Sequence, residues 1–72
     1  MMNHAEIRLV KHLTALAREI AKMEPGWQLT DWAAFQATML KHPRPNGPEF
    51  EVSDRQFTRC LRHAFVEVNY RP

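Results

Sequence analysis

Arg55, Arg59 and Arg62 stand at i, i+4 and i+7, a spacing that on a helix lines three guanidinium groups along one face. A guanidinium is a planar fork that donates paired hydrogen bonds to phosphate oxygens or to the O6/N7 edge of guanine. Thr58 sits beside them, within reach of a backbone phosphate or a thymine methyl. The same residues admit two other readings. One is a solvated basic face partnered by Asp54 and Glu51, and the other is a contact surface for an acidic protein.

Other chemistries find less support. Cys60 and His63 have C-x-x-H spacing, but His4, His12 and His42 are scattered, and a closed zinc site needs four ligands. No metal is expected, and Cys60 falls on an apolar stripe as a small core residue. No Ser/His/Asp or Cys/His arrangement positions a nucleophile against a base, and Ser53 reads better as a helix cap. With only Gly26 and Gly47 there is no phosphate-cradling loop. No catalytic residue, cofactor or small-molecule substrate is therefore expected.

The chain has 72 residues, which is enough for one compact core but not for a core and an enclosed substrate cavity. Residues 4–23 read as a first helix, since Ile7, Val10, Leu13, Ala17 and Ile20 recur at three- and four-residue steps. Asn3 and Glu6 form its capping box, and Pro25-Gly26 ends it. A second helix is expected over 31–41, capped by Thr30 or Asp31, with Trp32, Phe35, Met39 and Leu40 on its apolar face. The Pro-rich segment 43–48 is a loop. Ser53 and Gln56 open a third helix over 54–65 with a second capping box, and Val52 and Phe57 sit as its hydrophobic staple. Alternation of Phe50 and Val52 before it, and of Val66, Val68 and Tyr70 after it, predicts two short strands, 49–52 and 66–70, paired as a ribbon. The expected fold is mainly α with a small two-stranded β-ribbon, an α+β arrangement of three helices in a single domain spanning 1–72.

Val52, Ser53, Phe57, Leu61 and Phe65 follow a V-S-x-x-x-F-x-x-x-L-x-x-x-F pattern, and Trp32 and Phe35 precede it across the Pro-rich loop. Over residues 30–70 this resembles winged-helix DNA-binding domains of the RFX type and the winged-helix tails of phage and plasmid primases. The resemblance implies that Arg55, Thr58, Arg59 and Arg62 face the major groove while Phe57, Leu61 and Phe65 anchor the helix. Only one strand follows the third helix where a wing has two. Arg71, or a strand from a second copy in a homodimer, would then supply the missing contact.

Formal charge is +2, from ten Lys and Arg against eight Asp and Glu. The excess is concentrated at the carboxyl end, where Arg55, Arg59, Arg62 and Arg71 face only Asp54 and Glu67. A lone Cys60 forms no internal disulfide and points to the cytoplasm; no membrane span or signal segment is expected. Two partners remain. One is DNA, bound by a regulatory or accessory protein through the arginine stripe. The other is a larger protein, such as a polymerase or nuclease complex, modulated by a small protein of the kind that phages and mobile elements encode. In that case Leu9 and Leu16, which widen the apolar surface of the first helix, and Trp27 form the interface.

Overall fold

The computed structural model describes residues 1–71. Among them the chain forms helix α1 (His4–Met23), helix α2 (Trp32–Met39), a 3-10 turn at Pro48–Phe50 and helix α3 (Asp54–Tyr70). Both long helices start on reciprocal caps. The Glu6 amide donates to the Asn3 side chain at 2.9 Å and the Asn3 amide to the Glu6 carboxylate at 3.0 Å. The Gln56 amide donates to Ser53 Oγ at 3.1 Å and the Ser53 amide to Gln56 Oε1 at 2.8 Å. Each box satisfies two backbone donors that the helix itself leaves unpaired. Helix α2 is shorter than its pattern suggests, running from its Asp31 cap to Met39.

The expected ribbon does not form, and the fold is all-α among the described residues. Residues 66–70 continue α3, although Val66, Val68 and Tyr70 alternate as in a strand. A lone terminal strand would leave its amides and carbonyls unpaired, whereas a helix satisfies them locally. In the helix Val68 packs against the core, and Asn69 Nδ2 donates both to Phe65 O at 2.9 Å and to Leu29 O at 3.1 Å. The other expected strand, 49–52, is overridden by Gly47 and Pro48. Gly47 takes a φ of 111°, which favours glycine, and Pro48 then opens the 3-10 turn closed by Phe50 N to Gly47 O at 3.1 Å. Among the described residues neither strand of the expected wing forms, and the α+β class is corrected to a small helical fold.

Helices α1 and α3 run parallel. Glu6 meets Arg59 and Cys60, and further along both helices Arg18 meets Arg71. Ala17, Cys60 and Ala64 are fully buried, and their small side chains allow close approach of the two axes. Leu9, Leu13 and Ile20 of α1 and Phe57, Leu61 and Phe65 of α3 complete the seam. Over one side of this pair lies an aromatic cluster. Phe35 of α2 stacks on Trp27 with ring centroids 5.5 Å apart and meets the edge of Phe65 at 5.1 Å, while Trp32 meets Phe65 at 5.4 Å. Arg44 lies 3.9 Å above the Phe57 ring centroid and pairs with Asp54 at 3.0 Å, which pins the Pro-rich loop to the start of α3.

Candidate functional site

The arginine stripe exists on α3, but its members have different employments. Arg59 donates to the carboxylate of Glu6, which is buried with 2% of its surface exposed, while half of the arginine remains in solvent. The bond from Arg59 is the main reason the Glu6 carboxyl is held below its ordinary pKa, the Asn3 amide adds to it, and burial opposes both. Reciprocally, Glu6 raises the pKa of Arg59. Arg62 lies over Trp32, 4.7 Å from its ring centroid, and reaches toward Phe65. Thr58 Oγ1 donates back to Asp54 O at 3.2 Å. Arg71 approaches Glu67 at 3.8 Å and its carbonyl accepts from Arg18 at 2.9 Å, so it closes the end of α3 rather than extending a wing. Arg55 is exposed and has no ion-pair partner among the described residues.

The residues expected to meet a protein partner are largely covered within the fold. Leu9 is buried, and Leu16 and Trp27 are half-buried against the core, with Trp27 Nε1 donating to Ala34 O at 3.4 Å. Exposed apolar side chains instead include Ile7 on α1 and Val66 and Tyr70 on α3. Glu6, a capping residue by sequence, has a second role as the buried partner of Arg59. It lies three and seven residues before Leu9 and Leu13, so its place on the apolar stripe was the available signal that it needs a buried cationic partner.

Along α1, bounded on the α3 side by Glu67, runs an open groove of about 390 Å³. Its walls are Ile7, Val10, Lys11, Thr14 and Arg18 from α1 and Glu67 from α3, with Met2 at one end. Helical periodicity puts Ile7, Lys11, Thr14 and Arg18 on one face of α1, and Glu67 is the α3 side chain that reaches the groove. Thr14 Oγ1 is satisfied by Val10 O at 2.7 Å, which leaves the middle of the floor without a free hydroxyl donor. Lys11 has no ion-pair partner among the described residues. The result is a shallow, mostly apolar trough with Lys11, Arg18 and Glu67 as its charged lining. Nearby Cys60 is fully buried, and desolvation chiefly raises its thiol pKa, so it offers no ready nucleophile. Among the described residues no group of three or more His, Cys, Asp or Glu side chains is arranged to hold a metal ion.

No protein-family model, curated protein or solved structure matches this chain. No helix among the described residues is long and apolar enough to cross a membrane.

Proposed function

We propose that this chain is a non-enzymatic binding protein that docks on a larger protein through the face shared by α1 and α3. The observation that carries the reading is the groove itself, where Ile7 and Val10 line an open trough beside Lys11 and Arg18. Apolar side chains gathered in one surface trough favour an intermolecular contact. The buried, unpaired Cys60 suits a reducing, cytoplasmic setting.

A photo-crosslinking amino acid placed at Ala15, exposed in the groove wall, tests this, with a second placed at Ala33, which is exposed on α2. The expected outcome in cell extract is a discrete protein adduct from position 15 that is absent from position 33 and lost when Ile7→Asp is added. Equal labelling from both positions, or labelling indifferent to Ile7→Asp, would contradict the docking reading.

A second reading, contact with DNA, is favoured by Arg55, whose guanidinium is exposed and unpaired among the described residues. It predicts salt-sensitive binding to duplex DNA that Arg55→Ala weakens, measured by fluorescence anisotropy at low and moderate salt.

A further inference from the structure

We infer that the occupant of the α1–α3 groove is an acidic amphipathic helix of the partner protein, an assignment that rests on the docking reading above. The groove follows α1 from Ile7 to Arg18, a distance of about 16 Å at the helical rise per residue. That length matches roughly three turns of a second helix lying along it, whose anchors would recur at i, i+3 or i+4 and i+7. Ile7, Val10 and the methyl groups of Ala15 and Thr14 offer the apolar floor such anchors need.

The edges define the charge of the occupant. Lys11 is unpaired among the described residues, and Arg18 uses only part of its five-donor guanidinium within the fold, on the Arg71 carbonyl. Carboxylates on the flanks of a docked helix would take up the remaining donors. The one carboxylate in the groove wall, Glu67, already faces Arg71 at 3.8 Å. A second copy of this chain is a poorer occupant, because the same face offers Lys11 and Arg18 only the single carboxylate of Glu67, which already faces Arg71. A nucleic acid backbone would satisfy the cations but leave the apolar floor against phosphate and sugar, without matching surface.

The test is selection of a displayed library of random peptides, each about sixteen residues long so as to exceed three helical turns, on the full chain. Lys11→Glu and Ile7→Asp, both at exposed positions, serve as comparison targets once circular dichroism shows them folded. The expected result is enrichment of peptides with large apolar residues at three- and four-residue steps and Asp or Glu beside them. Synthetic versions should bind less tightly as salt rises, lose about tenfold or more on Lys11→Glu, and lose binding on Ile7→Asp. Enriched peptides that depend on Ile7 but are neutral or basic would overturn the acidic assignment while leaving the docking face in place. Failure to enrich any Ile7-dependent peptide would overturn both, as would self-association of the chain that Ile7→Asp abolishes.

Discussion

At Glu6 a carboxylate sits with 2% of its surface exposed on the seam between two helices, and it is tolerated because two donors meet it. The same residue caps α1 through the Asn3 amide and binds α3 through Arg59, so one side chain ties a helix start to its neighbour. Its lowered pKa fixes the sign of the pH dependence. The stabilisation is complete above the unfolded carboxyl value, about 4.3, and is lost as pH falls below that through the folded value. Glu6→Gln should lower the thermal midpoint at neutral pH, by removing the charge that partners Arg59. The gap between variant and parent should then close as pH falls below about 4, as followed by circular dichroism melts. A gap that stays constant down to pH 2 would show that the ion pair contributes nothing.

Among the elements, the carboxyl-terminal part of α3 shows how tertiary context overrides a local pattern. Val66, Val68 and Tyr70 repeat with the period of a strand, but the bonds from Asn69 to Phe65 O and Leu29 O hold this part of the chain as helix. Asn69→Ala should cost about 1 kcal/mol, typical of a lost side-chain hydrogen bond, and should raise hydrogen exchange at residues 66–70 ahead of the rest of α3. A uniform change across α3 would argue that this last part is no more dependent on the tether than its beginning. The starts of α1 and α3 were legible in the sequence because a capping box is a local signal, complete within four residues. The end of α3 was not, since the decision depends on a carbonyl at Leu29 far away in the chain. The candidate site was legible to a similar degree. The arginine spacing identified one face of α3, but periodicity carries no information about partners on another helix. Pairing of Arg59 with Glu6 and stacking of Arg62 on Trp32 therefore appeared only in three dimensions.

For the whole molecule, the dimensions of 34 × 23 × 18 Å are set along the long axis by α1 itself, since twenty residues of helix span about 30 Å. Against that rod, α3 and the aromatic cluster form one small core, and a domain of this size has little stability to lose. Phe35 is fully buried at the centre of the cluster, touching Trp27, Trp32 and Phe65. Cys60 is fully buried on the α1–α3 seam, where its thiol donates to Glu6 O at 3.7 Å, and its pKa is raised chiefly by burial. The two residues thus test whether the molecule opens as one unit. Phe35→Ala should cost about 3–5 kcal/mol through lost burial and the cavity left behind. If unfolding is cooperative, a thiol reagent should label Cys60 about a hundredfold or more faster in that variant under conditions where both proteins remain mainly folded. Labelling at the parental rate would mean that the α1–α3 pair stays closed when the aromatic cluster loosens, and that the helix pair forms a separately stable unit.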